Sequence, residues 1–396
     1  MTYDFDASID RSGTYSLKWE EASDALPMWV ADMDFPTAPV VRTALSRRVD
    51  HGVFGYSIVP DEWADAYIGW WRSRHGVIFE RDELIFCTGV VPAISSMVRK
   101  LTTPAENVVI QTPVYNIFFN SILNNGRNVL ESPLVYDPAA ACYAIDWADL
   151  EHKLADPQTS LMILCNPHNP SGQIWDRETL WRIGELCWQH HVTVISDEIH
   201  CDLTDPGYAY VPFASVSEHC RMNSVTCIAP TKAFNIAGLQ TAAVMVSDPV
   251  LRHKVWRGLN TDEVAEPNAF AVTAAIAAFT DGGDWLDALR TYLADNKRIA
   301  RKAIDDYNDA TPENRSVHLV EGDATYLLWL DCSSLTDDTD RLCDHLLADQ
   351  QLLLSPGAQF GGNGRYFVRI NIATQRARVH EGMRRLIDGL LSFVDC

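Results

Sequence analysis

The sequence predicts an α/β fold: a large domain with a mostly parallel sheet covered by helices, plus a smaller α+β domain. Three observations carry that prediction. Short apolar runs bounded by turn residues alternate with helix-like stretches from residue 84 onward, the pattern of strands buried on both faces. Residues able to do chemistry fall just past the C-terminal ends of those runs, the edge at which open α/β sheets bind ligands. At 396 residues the chain is long enough to divide into two units.

In chain order, residues up to about Asp24 are polar and lack clear periodicity, so they read as an arm and not as a packed element. Such arms often cross to a partner subunit. Leu26 to Pro36 is a short apolar run broken by Pro27 and Pro36. A helical pattern spans Ala38 to Val49, and His51-Gly-Val-Phe-Gly-Tyr56 is a glycine-punctuated loop carrying an aromatic. Asp61 reads as the N-cap of a helix with Trp63, Tyr67, Trp70 and Trp71.

Strands are then expected at Leu84–Thr88, Asn107–Gln111, Ser160–Cys165, Val192–Ser196, Ser224–Ala229 and Ala242–Val246. Gly89-Val-Val-Pro92 reads as a turn before a helix from Ala93 to Leu101, and Glu178 to His190 as a further helix. From Asn268 a helical stretch begins, and Trp285 through Tyr307 leads into the smaller domain. That domain takes the strands Thr325–Leu330 and Tyr366–Asn371, a helix at Thr339–Gln350 and a terminal helix. The expected division is an arm with part of the small domain (1–48), a large domain (49–284) and a C-terminal small domain (285–396). No repeat or low-complexity segment interrupts it.

Composition narrows the classes of function. The net charge is −21, from 53 Asp and Glu against 32 Lys and Arg, with no basic patch; such a surface repels nucleic acid and anionic membrane. No apolar run approaches the roughly 20 residues of a membrane helix, and the acidic start Met1-Thr-Tyr-Asp-Phe-Asp is unlike a secretion signal. The ten cysteines are scattered without a C-x-x-C pair, which points to a reducing cytoplasm and away from disulfides or a zinc site.

The chemistry centres on Ala229-Pro-Thr-Lys232-Ala-Phe-Asn-Ile-Ala-Gly-Leu-Gln240, a stretch with one lysine and no other charge. Most of the other lysines (Lys18, Lys100, Lys153, Lys254, Lys297, Lys302) sit among polar or charged neighbours, as solvated lysines do. An ammonium that loses hydration has a lowered pKa, and its free amine attacks aldehydes; the plainer alternative is a surface lysine on a loop. Asp197 ends a buried strand, where a carboxylate needs a cationic partner, such as a protonated pyridine nitrogen. Asn169 in a Pro-flanked loop offers an amide to a phenolic oxygen, and Gly89-Val90-Val91 ahead of a helix offers N–H groups to a phosphate. Taken singly, Asp197 could be a cap, Asn169 a turn residue and Gly89 a plain strand-to-helix turn. Together, in this order at successive strand ends, they match the way pyridoxal phosphate is held. A metal site at Asp197, Glu198, His200 and Cys201 is disfavoured, because neighbours on a strand point to opposite faces.

Asn166-Pro-His-Asn-Pro-Ser-Gly172, Ser196-Asp-Glu-Ile-His-Cys-Asp202 and Thr231-Lys-Ala-Phe-Asn-Ile-Ala-Gly-Leu-Gln240 resemble fold-type I pyridoxal-phosphate enzymes. More narrowly they resemble the MalY/PatB group of cysteine-conjugate (cystathionine) β-lyases. Pro27-Met-Trp-Val-Ala-Asp-Met-Asp-Phe35, Gln111-Thr-Pro-Val-Tyr115 and Val368-Arg-Ile-Asn371 extend the likeness over nearly the whole chain. The resemblance implies that Lys232 forms the Schiff base, Asp197 pairs with the pyridine nitrogen and Asn169 contacts the phenolic oxygen. It implies further that Tyr115 stacks on the ring, that Arg369 clamps the substrate carboxylate with Ala31 beside it, and that Tyr56 reaches the phosphate of the neighbouring subunit in a homodimer. Related aminotransferases carry a tyrosine where this chain has His200 and an arginine where it has Gln240. Both departures agree with the lyase group, and they leave Thr231, Tyr56 and the Gly89 loop as phosphate partners. His200 could instead be a satisfied strand-end histidine. The implied activity is β-elimination from S-substituted cysteines; an aminotransferase, or a regulatory protein that keeps the cofactor site, are the alternatives.

Overall fold

The computed structural model describes residues 3–21 and 24–394; Met1, Thr2, Ala22, Ser23, Asp395 and Cys396 lie outside the described residues. Seven strands build the large sheet: β1 (Leu84–Cys87), β2 (Asn107–Ile110), β3 (Asn128–Glu131), β4 (Thr159–Cys165), β5 (Thr193–Asp197), β6 (Ser224–Ile228) and β7 (Ala242–Met245). Their order is β1-β7-β6-β5-β4-β2-β3. The pairs from β3 across to β6 are parallel, and β7 runs antiparallel to both β6 and β1. Along β4, Leu161, Ile163 and Cys165 enter one apolar cluster and Met162 and Leu164 another. That is the period-two alternation of a strand buried on both faces, which is why the run is apolar throughout.

A second sheet is wholly antiparallel: β8 (His318–Leu319), β9 (Leu327–Asp331), β10 (Ser355–Pro356) and β11 (Phe367–Asn371), in the order β8-β9-β11-β10. The helices Gly283–Ala310, Thr339–Gln350 and Arg376–Ser392 pack with it. Leu26–Pro27 pairs in parallel with Leu352–Leu353, so the N-terminal apolar run joins the C-terminal unit. No helix among the described residues is long and apolar enough to cross a membrane.

Several expectations are corrected. The stretch before Asp24 is a packed element and not a free arm. It holds a short helix, Leu17–Glu20, and its Phe5 is buried edge-on against Phe35 and Trp285. Lys18, which its sequence neighbours mark as solvated, is wholly buried and ion-paired to Asp34 at 2.9 Å. Asp61 does not cap its helix: Pro60 takes that place, Asp61 is the first helical residue, and its carboxylate pairs with Arg81 at 2.6 Å. The helix after β1 starts at Val90, not Ala93; Pro92 is tolerated there because first-turn N–H groups have no intrahelical acceptor.

The loop 166–172 is tied to the second unit by its backbone. The Ala324 N–H donates to the Gly172 carbonyl at 3.0 Å, and Gly172 has φ +73°. A Cβ there would lie 2.7 Å from the Ala324 carbonyl oxygen. Gly172→Ala therefore combines left-handed strain with a clash against backbone, and is expected to cost about 1–3 kcal/mol. A lowered thermal unfolding midpoint checks this; an unchanged midpoint would show that the loop has room to shift.

Candidate active site

Register brings the candidate residues together. Cys165 of β4 lies opposite Asp197 of β5, and Asp197 lies opposite Cys227 of β6. The three strands thus end level, and the segments leaving them, 166–172, 198–202 and 229–240, rim one cavity of about 500 Å³. Its wall contains Ala31, Gly89, Val90, Val91, Tyr115, Asn169, Asp197, His200, Thr231 and Lys232. Ten of the residues singled out from sequence thus line a single site.

Lys232 enters from the 229–240 segment, and its Nζ donates to the Ala31 carbonyl at 2.6 Å. Burial lowers its pKa to about 8, helped by the like charge of Arg369 and opposed by Asp32 and Asp197. Asp197 is buried and, among the described residues, its carboxylate accepts only the Ile199 N–H, at 3.1 Å. Desolvation raises its carboxyl to about 7, against the weaker pull of that N–H and of Lys232. Both groups are held in forms that a complementary charge would relieve.

Behind Asn169 of the cavity wall stands a third under-partnered charge. Arg369, on β11, is buried; it donates from Nη1 to Asn169 Oδ1 at 3.2 Å and from Nη2 to the Trp29 carbonyl at 3.1 Å, with its guanidinium over the Phe360 ring. No carboxylate among the described residues comes within ion-pair distance, and Nε is buried without a partner. Burial brings its pKa down to about 10. Because Asn169 accepts from Arg369 through Oδ1, its Nδ2 is left to donate. At the far end, the helix Val90–Leu101 opens on Gly89. The N–H groups of Val90 and Val91 have no acceptor within the helix, Pro92 has none to offer, and Ala93 bonds the Gly89 carbonyl at 3.1 Å. That end attracts an anion.

His200 is not the satisfied strand-end histidine. Its Nδ1 is buried without a hydrogen-bond partner among the described residues, and burial, with Lys232 and Arg369 nearby, depresses its pKa to about 3. Glu198 turns away and is satisfied by Ser196 Oγ, the Tyr210 hydroxyl and the Phe213 N–H, each at 2.9 Å. His75, Cys201 and Asp202 come within 4.8 Å of one another, but Asp202 Oδ1 already accepts from Trp70 at 2.9 Å and lies 2.8 Å from His75 Nε2.

Tyr56 lies apart from this cavity and is fully exposed. Sequence reasoning missed Tyr326, which is wholly buried and donates to the Ala31 carbonyl at 3.1 Å. It also missed the carbonyls of Trp29 and Ala31 as polar walls. Those groups carry no side-chain signature; only their place in the apolar motif Pro27–Phe35 marked the segment.

The aminotransferase class I and II family model matches residues 24–386 of this chain. The chain is 43% identical over 388 residues to the cystathionine β-lyase PatB of Bacillus subtilis (strain 168), covering 96% of this chain and 98% of that one. It is 34% identical over 396 residues to protein MalY of Escherichia coli (strain K12), covering 98% and 99%. The crystal structure of a PLP-bound C–S lyase from Staphylococcus hominis superposes with a TM-score of 0.90 at 30% identity, over 98% of this chain and 99% of that one.

The lowered pKa makes a chemical prediction. With half its amine free near pH 8, Lys232 should react with formaldehyde and cyanoborohydride at a rate that climbs about tenfold per pH unit up to 8 and then levels. Ordinary exposed lysines keep climbing to about 10.4. Mass spectrometry of methylation against pH in the cofactor-free protein checks this; half-maximal labelling of Lys232 above pH 10 would remove the desolvated amine.

Proposed function

The chain belongs to the class I and II aminotransferase family, and we propose that it acts there as a pyridoxal-phosphate-dependent carbon–sulfur β-lyase. Its substrates on this reading are cystathionine or other S-substituted cysteines, cleaved to a thiol, pyruvate and ammonia. The observation that carries the reading is one cavity lined by Lys232 and Asp197, with the buried Arg369 bonded to Asn169 of its wall, three charges each left incomplete.

Pyridoxal phosphate fits these residues. Lys232 is the amine for its aldehyde, Asp197 the anion for its protonated ring nitrogen, Asn169 Nδ2 the donor for its phenolic oxygen, and Tyr115 the aromatic face beside it. The Gly89-Val90-Val91 turn and Thr231 take the phosphate, and the orphaned Nδ1 of His200 borders the same space. When bound, the cofactor supplies an electron sink for the pair left on the substrate Cα. Arg369 receives the substrate α-carboxylate as a two-bond fork, with Ala31 alongside. That contact would turn the Cα–H toward Lys232, whose amine, free once the substrate's own amino group had taken its place at the aldehyde, would remove the proton. The electron pair of the Cα–H bond becomes the Cα=Cβ double bond, the Cβ–S bond breaks, and the thiolate leaves with its pair. Water then hydrolyses the released 2-aminoacrylate to pyruvate and ammonia.

Support for a lyase over an aminotransferase comes from the 43% identity to a cystathionine β-lyase and from His200 and Gln240 in the discriminating places. We read the chain as an arm with part of the small domain (1–48), a cofactor domain (49–284) and a small domain (285–396). The nine cysteines among the described residues are all free, which supports a cytoplasmic setting. We further read the protein as a homodimer. Val53, Phe54, Tyr56 and Ile58 are all exposed along one irregular stretch, an apolar surface that a second copy would cover, carrying Tyr56 to the neighbouring phosphate.

Incubating the purified protein with cystathionine should yield pyruvate and a free thiol in equal amounts, whereas accumulation of the pyridoxamine form without thiol would mark an aminotransferase. Arg369→Ala should reduce kcat/KM for cystathionine and S-methylcysteine alike, on the order of the 2–5 kcal/mol lost when one partner of a buried charge pair is removed. A loss confined to one substrate would show that Arg369 reads the distal group.

Subunit exchange tests Tyr56. Lys232→Ala and Tyr56→Ala proteins should each be impaired alone, and mixing them should recover activity. In the mixed dimer one site combines the intact Lys232 of one chain with the intact Tyr56 of the other. No recovery despite demonstrated exchange would place Tyr56 outside the neighbouring site.

A further inference from the structure

The backbone of the strap Met28–Phe35 receives both cationic side chains of the site, Lys232 and Arg369. The Trp29 carbonyl accepts from Arg369 Nη2 at 3.1 Å, and the Ala31 carbonyl accepts from Lys232 Nζ at 2.6 Å and the Tyr326 hydroxyl at 3.1 Å. Asn371 Nδ2 holds the carbonyls of Val30 and Asp32 at 2.6 and 2.7 Å. The strap has no regular structure beyond Leu26–Pro27, so something other than a sheet ladder must fix its course.

Asn235 and Gln375 hold the backbone of Met33, Asp34 and Phe35 from the two folded units, and the side-chain restraint on Asp32 and Asp34 comes from the N-terminal segment. Arg11 donates from Nη1 to Asp34 Oδ1 at 2.9 Å and the Met33 carbonyl at 3.1 Å, and from Nη2 to Asp32 Oδ2 at 3.0 Å. Lys18 Nζ, wholly buried, donates to Asp34 Oδ2 at 2.9 Å, and Trp19 Nε1 to Asp34 Oδ1 at 2.9 Å. Trp29 Nε1 returns a bond to the Lys18 carbonyl at 3.1 Å. Asp34 thus accepts three hydrogen bonds from the arm, two at Oδ1 and one at Oδ2, at a point three residues from Ala31 and five from Trp29. Buried ion pairs of this kind are weak evidence for stability but are well suited to fixing one register.

We propose that Arg11 and Lys18 are positioning residues for the reaction: by clamping Asp32 and Asp34 they set the strap so that the Trp29 and Ala31 carbonyls hold Arg369 and Lys232 in place. This rests on the reading of Arg369 as the carboxylate clamp. The packed arm therefore belongs to the active site of its own chain, although no atom of it lines the cavity. Arg11 is the better test of the two. It reaches Asp34 from a partly exposed position, whereas removing Lys18 strips a wholly buried charge partner and endangers folding.

The test is equilibrium binding of L-alanine to the cofactor-loaded protein, read from the cofactor absorbance. L-Alanine carries the α-amino and carboxylate groups but no β leaving group. Arg11→Met should raise its Kd on the order of tenfold, as a small misplacement of positioning groups does, and Arg11→Lys should fall between the two. Leu180→Ala, a buried core truncation on the helix Arg177–Gln189, should lower the unfolding midpoint while leaving the Kd as in wild type. A wild-type Kd in Arg11→Met, or an equal rise in Leu180→Ala, would overturn the clamp. If Arg369→Ala itself binds L-alanine normally, the carboxylate reading falls first, and with it the basis of the clamp.

Discussion

Three ionisable groups with too few partners, Asp197 and Arg369 buried and Lys232 half-buried, set the terms for this protein. An ion taken out of water costs several kcal/mol unless it is paired, yet Lys232 and Asp197, which line one cavity, and Arg369, bonded to Asn169 of its wall, form no ion pair with one another. Each is shifted toward its neutral form by burial, with pKa values of about 8, 7 and 10. Such sets cluster where a ligand completes them. On the proposed reading, a pyridine nitrogen, an aldehyde and an α-carboxylate supply what the three lack. The same cavity presents free N–H groups of a helix end where a phosphate would sit. The chemistry and the charge deficit are the same fact seen from two sides.

Much of the remaining architecture holds that deficit in place. The parallel strands β4, β5 and β6 end level, so the segments leaving them converge without long connections. The smaller sheet delivers Arg369 from β11, and Gly172 allows the backbone of the two units to approach closely. The strap Met28–Phe35 offers backbone carbonyls to both cationic side chains, that of Ala31 to Lys232 and that of Trp29 to Arg369. Carbonyls are fixed acceptors that cannot lose charge with pH, which suits them to receive an amine whose own protonation must change.

The N-terminal segment shows how composition misleads. Its polar residues read as solvated, and a free arm is what such a sequence ordinarily becomes. Here Arg11, Lys18, Asp32 and Asp34 satisfy one another, so polarity is internal. The buried Lys18 is indistinguishable in sequence from the exposed lysines, because what neutralises it lies 16 residues away.

Local pattern determined the strands, the alternation and the order of Lys232, Asp197, Asn169 and the Gly89 turn. These depend on side-chain period and turn chemistry, which are written into neighbouring residues. The resemblance of whole motifs supplied the cofactor and the substrate arginine. Tertiary structure decided what depends on distant partners. It left His200 without a hydrogen bond at Nδ1, placed Tyr326 on the Ala31 carbonyl and packed the arm. It also moved the cap before Asp61 to Pro60, since an N-cap is a matter of backbone angle and not of residue type alone. Burial and pairing are properties of the assembled chain, and a charge's sequence neighbours do not disclose either one.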